Sequence, residues 1–287
     1  MVPVSGFTIV RNAVALDFPI VESIRSILPV CEEVVVNVGR SDDGTLELIR
    51  GIDDPRIRIV ETEWDWSDKI MALGRETMRA MRACRHPWGL YIQADEVLHE
   101  SGATMLRDTV QQVDADPRVE GLLVRYLHFY GDLGTLATHR RWYRQEVRCV
   151  RLDPALDIHP FQDAQGFRVG PEDRKIRARP TGAVMYHYGW ARPPESIQKK
   201  REFTRSLYPE KEQQARPLLP WIPLLRPFTG EHPAVARNWV RARMPAAGER
   251  RMTDPFFHWG WVRLYLSYTF ERLTGIRPFE FRNYTVV

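Results

Sequence analysis

The chain has 287 residues, 44% of them hydrophobic and 27% charged, with a formal net charge of +4. That length and balance fit one large soluble domain, or one domain with an extension, around a sizeable core. The small basic excess, carried mostly by arginine, suits anionic ligands such as phosphates without calling for nucleic acid. No zinc-finger, basic-zipper or single-strand-binding signature occurs. No apolar run reaches the roughly 18 residues of a membrane span. Residues 1–6 carry neither the basic segment nor the apolar segment of a secretory leader. Cys31, Cys84 and Cys149 are far apart and form no Cys-x-x-Cys, so reduced thiols in a cytoplasmic protein are expected.

In chain order, residues 6–10 make a short apolar strand that ends at Arg11 and Asn12. Residues 19–28 place Ile20, Ile24, Ile27 and Leu28 at helical spacing, and Pro29 ends that helix. The β-branched run 33–38 predicts a buried strand, 39–45 a turn, 45–52 a short helix, and 56–60 a third strand. Residues 69–84 repeat Ile70, Leu73, Met78 and Met81 as a helix, and 88–93 form a fourth strand. Strand and helix therefore alternate, which argues an α/β fold with a mostly parallel sheet and right-handed crossovers. Beyond residue 100 the pattern is more mixed. It holds helices at 101–113 and 194–207 and strands at 121–130, 145–152 and 181–188. Prolines every few residues forbid a regular helix over 216–228. The main domain is therefore read as 1–215. A Pro- and aromatic-rich arm with two helices, 234–244 and 261–273, makes up 216–287. The arm's apolar residues, flanked by Arg216 and Arg226, fit either a cover packed on the domain or a peripheral contact with the inner membrane.

The stretch 88–99 organises the rest. Leu90, Tyr91 and Ile92 form a buried strand that delivers Asp95 and Glu96 at its C-terminal edge. Open α/β sheets place their ligands at that edge. A carboxylate there can hold a hard divalent cation, and the cation a diphosphate.

Three segments then line up. Thr8-Ile-Val-Arg-Asn12, the run from Val34 through Asn37 to Asp43-Gly44-Thr45, and Tyr91-Ile-Gln-Ala-Asp-Glu96 resemble the nucleotide-sugar motifs of family-2 glycosyltransferases with the GT-A fold. Tyr186-His-Tyr-Gly-Trp190 resembles the C-terminal histidine motif of a bacterial branch of that family. Residues 274–284 are also similar to that branch, and no chemistry attaches to them. The resemblance implies a Rossmann-like sheet flanked by helices, with a helical C-terminal extension. It implies inverting transfer of a sugar from a nucleoside-diphosphate sugar to a glycan or lipid-linked acceptor.

It also implies roles. Asp95 matches the metal-binding Asp of the family's Asp-x-Asp, with Mn²⁺ or Mg²⁺ as cofactor, and Gln93 stands where the first Asp sits. His187 is the second metal or diphosphate ligand. Val10, Arg11, Asn12, Asn37, Asp43, Lys69, Gln93, Ala94 and Asp95 are the expected nucleotide-sugar contacts. Asp173, in a Glu-Asp pair like the family's base, is the favoured acceptor-side base, with Asp163 the alternative. His128, Tyr130, Arg141 and Trp142 are candidates for the acceptor site. Two other classes stay open. One is a sugar nucleotidyltransferase, whose Gly-rich N-terminal loop is missing here. The other is a non-catalytic sugar-nucleotide-binding or assembly protein.

Overall fold

Val34, Val35 and Val36 have no exposed surface, as a strand covered by helices on both faces requires. The computed structural model describes residues 1–68, 71–203, 218–245, 252–278 and 280–287 in full, and 69, 70 and 204–207 as helix backbone. Its first half runs β1 (Val4–Val10), α1 (Ile20–Ile27), β2 (Glu33–Gly39), α2 (Thr45–Arg50), β3 (Ile57–Thr62), α3 (Lys69–Arg82), β4 (Trp88–Tyr91), β5 (Glu96–Leu98) and α4 (Glu100–Val113). Then come β6 (Gly121–Tyr130), β7 (Thr135–Ala137), β8 (Gln145–Arg151), β9 (Ile158–Phe161), β10 (Gly166–Val169) and β11 (Arg174–Trp190). The chain continues with α5 (Pro194–Leu207), β12 (Leu225–Pro227), α6 (Arg237–Arg241), α7 (Val262–Thr274) and β13 (Tyr284–Val286).

The sheet order is β3-β2-β1-β4-β8-β6-β11-β10-β9. The first four strands are parallel, with Phe7 level with both Val35 and Tyr91. This is the expected Rossmann-like half. Beyond β4 the sheet is mixed: β8 is antiparallel to β4 and β6, and β11 is parallel to β6. The β9–β10 connection is too short for a crossover helix, so that pair is antiparallel. Helices cover both faces. Ile20, Ile24 and Ile27 of α1 join Leu106, Val110 and Val113 of α4 on one side. Ala80 and Met81 of α3 meet Phe7, Val35 and Tyr91 on the other.

Arg216 and Pro217 lie outside the described residues. The rest of the arm packs: Leu219 is 2% exposed and clusters with Tyr130, Ala137 and Ile197. Residues 225–227 pair with 135–137 as a strand rather than an irregular run. The helix expected over 234–244 is a 3-10 turn followed by the short α6. Helix α7 is present and buries Leu264 while exposing Leu266, Phe270 and Leu273. The last strand, β13, lies parallel to β11. No helix among the described residues is long and apolar enough to cross a membrane.

Candidate functional site

The chain lays β2 and β3 on one side of β1 and β4 on the other, so strand order reverses between β1 and β4. Strand ends splay apart at such a point and leave a crevice at their carboxyl edge. A cavity of about 470 Å³ lies there. Val10, Arg11 and Asn12 line it from the end of β1, and Gln93, Ala94 and Asp95 from the end of β4. Asp163 and Gln165 reach it from the β9–β10 turn, and Lys199, Lys200 and Phe203 from α5. Asp43 shapes the rim from behind. Its carboxylate accepts from the Ala15 amide at 2.8 Å and the Thr45 amide at 3.1 Å, pinning the loop after β1 to the start of α2.

Asp95 is buried and its Oδ2 accepts from Lys200 Nζ at 2.9 Å. The ammonium also donates to the Gly189 carbonyl at 3.2 Å and lies 5.3 Å from the centre of the Trp190 ring. Burial alone would push the Asp95 carboxyl up. The Lys200 ammonium, together with His187 and the Arg192 guanidinium, outweighs burial and holds the carboxyl well below the usual carboxylate range. Asp95 is an anion at neutral pH for that reason.

His187 sits beside it, with Nε2 3.7 Å from Asp95 Oδ2. A chain of hydrogen bonds sets its tautomer. His128 Nε2 is 2.8 Å from the Tyr143 carbonyl, which only accepts, so His128 carries its proton there. Burial holds His128 neutral, pushed down to about 3, so its Nδ1 is a lone pair. His187 Nδ1, 3.0 Å away, must then donate. Burial lowers His187 to about 4 as well, so its Nε2 is left as a lone pair beside Asp95. Gly189 makes the approach possible: a Cβ there would lie 2.6 Å from His187 Nε2 and 2.8 Å from Asp95 Oδ2.

No family model matches the chain. A rice protein (Oryza sativa subsp. japonica) described as a glycosyltransferase family 92 protein is 30% identical over 146 residues, 45% of this chain and 24% of that one. The chain thus spans about a quarter of that relative's length. Among solved structures, residues 1–349 of S. aureus TarS overlap 70% of this chain and 64% of theirs, at 15% identity and a TM-score of 0.42. Glucosyl-3-phosphoglycerate synthase from Mycobacterium tuberculosis, solved with Mn²⁺, UDP and phosphoglyceric acid, overlaps 44% of this chain and 43% of its own. Its identity is 16% and its TM-score 0.31.

The other expected site residues divide. Asn37 has no exposed surface and does not line the cavity. Its amide donates to the Glu76 carbonyl and carboxylate at 3.0 and 2.9 Å, and its oxygen accepts from Thr62. Lys69 begins α3, and its side chain lies outside the described residues. Asp173 is outside the cavity, half-exposed at a positive φ of 53°, with its carboxylate 2.8 Å from His159 Nε2. Asp163 is inside the cavity. His128, Tyr130 and Trp142 make internal hydrogen bonds, to Tyr143, Pro220 and His139, and line no part of it; neither does Arg141. Glu96, next to Asp95, turns away. It is fully buried against Arg148, at 2.8 and 3.1 Å, and accepts from Tyr126 and the Gln93 amide. Lys200 is the residue that sequence reasoning missed: its neighbour Lys199 has the same side chain and lines the same cavity, and only the folded chain shows which of them reaches Asp95.

The expected divalent cation can be tested against this donor set. Asp95 and His187 do come together, offering one oxygen and one nitrogen lone pair. Mg²⁺ and Mn²⁺ favour several oxygen ligands in an octahedron. Among the described residues, no group of three or more His, Cys, Asp or Glu converges. Gln93 adds no charge, and its amide nitrogen is turned to the Ala164 carbonyl at 3.4 Å. The cation already on Asp95 is Lys200. The donors among the described residues fall short of a divalent site.

Proposed function

We propose that the chain is a glycosyltransferase that moves a sugar from a nucleoside-diphosphate sugar to a glycan or lipid-linked acceptor, with inversion. One observation carries the reading. Two segments some 80 residues apart in sequence, Val10–Asn12 and Gln93–Asp95, line one cavity at the point where strand order reverses. Their resemblance to nucleotide-sugar motifs and the similarity to the rice glycosyltransferase family 92 protein support it. The apolar side chains that α7 leaves exposed favour an acceptor with a lipid part.

In transfer, the bond between the sugar's anomeric carbon and the β-phosphate oxygen breaks, and its electron pair stays on that oxygen. The acceptor's oxygen bonds to the anomeric carbon from the opposite face, and its proton goes to a base. Asp163 takes the base role in this reading, because it faces the cavity that holds Asp95 whereas Asp173 is engaged with His159 outside it. Gln93 and Arg11 contact the donor's sugar and nucleotide.

The test is incubation with a panel of nucleoside-diphosphate sugars, reading the products by chromatography. Release of nucleoside diphosphate is expected. Asp163→Asn should lower kcat by roughly 10²–10⁴ with little change in donor affinity, and Asp173→Asn should not. Pyrophosphate among the products would point instead to a nucleotidyltransferase. Binding without turnover of any donor would leave a sugar-nucleotide-binding protein.

A further inference from the structure

A diphosphate brings two or more negative charges into a partly buried cavity, and a cation must meet them. Around this cavity the described lining residues include three cations, Arg11, Lys199 and Lys200, against two carboxylates, Asp95 and Asp163. A site built for a protein-held divalent ion has the opposite excess. The ammonium of Lys200 occupies the place where such an ion would sit, on Asp95 Oδ2 at 2.9 Å. It is held there at two further points, by the Gly189 carbonyl at 3.2 Å and by the face of Trp190. Helix α5 is 14 residues long and joins β11 through a short turn, so the lysine is delivered by a rigid element.

We propose that Lys200 is the cation that receives the donor's diphosphate, so that the nucleotide binds and leaves without a divalent metal. The proposal rests on the sugar-nucleotide reading above. Asp95 then acts as the anchor that aims the ammonium, and the lone pair on His187 Nε2 backs the same spot. An ammonium is a compact charge with three donors, which suits it to bridge a carboxylate and phosphate oxygens together. As the bond to the sugar breaks, the charge that gathers on the β-phosphate oxygens is met by a group already in position, with no ion to recruit.

The experiment is calorimetric titration of the full chain with UDP, GDP, ADP, CDP and dTDP, in EDTA and again in Mn²⁺. At least one nucleoside diphosphate should bind in EDTA with a Kd within about threefold of that in Mn²⁺. Lys200→Met should weaken binding in EDTA by tenfold or more. Lys200→Arg, which keeps the charge, should retain most of the metal-free binding. Wild-type binding seen only with Mn²⁺ overturns the proposal and needs no variant to fold. So does unchanged metal-free binding by a folded Lys200→Met. If no nucleoside diphosphate binds in either buffer, the sugar-nucleotide reading itself fails, and this proposal fails with it.

Discussion

Gly189 shows how a single missing Cβ can shape a site. Nothing about its backbone demands glycine, since its φ is not in the left-handed region. The demand comes from its neighbours, His187 Nε2 and Asp95 Oδ2, which a Cβ would approach to 2.6 and 2.8 Å. Both side chains are buried, and Asp95 is tied to Lys200, so the clash is relieved by moving the site. Gly189→Ala should therefore weaken nucleoside-diphosphate binding at least tenfold, at a cost of about 1–3 kcal/mol in stability from overpacking. Titration together with urea unfolding would check this, and unchanged affinity would show that the Asp95–His187 gap is not used. At this scale sequence reading does part of the work. Asp95, His187 and Gly189 announce themselves by context. Asn37 does not, because its partners Glu76 and Thr62 come from α3 and β3 and are invisible until those elements pack against β2.

Among the elements, those with clean periodicity were legible. The β-branched runs of β1 and β2, the helical spacing in α1 and α3, and β6, whose bounds match the expected 121–130, all formed as their patterns required. The elements that were missed lack that signal. The first half of β11 reads Arg174-Lys-Ile-Arg-Ala-Arg-Pro180, and only Ile176 and Ala178 in it turn to the core. Strands β9 and β10 are four residues each, and β5, β7, β12 and β13 are three each, too short for a period to register. The arm at 218–228 was readable as apolar and broken by proline, but what it covers comes from the fold. Its energetic weight is testable. Leu219→Ala removes a buried side chain from among Tyr130, Ala137 and Ile197 and should cost about 2–5 kcal/mol. Leu266→Ala, on the exposed face of α7, should shift stability by no more than about 0.5 kcal/mol. Equal effects of the two in denaturant melts would mean that the arm does not pack as described.

Across the whole molecule, stability in acid depends on histidines that the fold keeps neutral. Burial lowers His187 to about 4, His139 to about 4 and His128 to about 3, against about 6.5 for the unfolded chain. Between pH 6.5 and 4 the unfolded chain takes up protons that the folded one refuses. Stability therefore falls as pH falls through that window, by up to about 1.4 kcal/mol per pH unit for each such group. The depressed carboxylates work in a lower window. Asp95, Glu33 and Glu120 contribute stability above the unfolded carboxylate range of about 4, which is lost only below it. Melting temperature should thus drop between pH 7 and pH 4.5, before the depressed carboxylates titrate, opposed only by Glu22 and Glu146, whose carboxyls burial pushes up, and His128→Asn should flatten the drop. A melting temperature constant over that range would contradict the neutral relay. The pairing of β13 with β11 also bears on how the chain survives its own synthesis. Ile176–Ala178 must wait for Tyr284–Val286, 108 residues later, to close that flank of the strand. At roughly 5–20 residues per second the wait on the ribosome is on the order of 5–20 s, with a strand edge open to any neighbouring nascent chain. Lys175 and Arg179 point outward along that same strand, and Pro180 follows. Like charges and a proline on an unfinished edge repel a second strand, so the basic half of β11 can act as a guard against aggregation during translation.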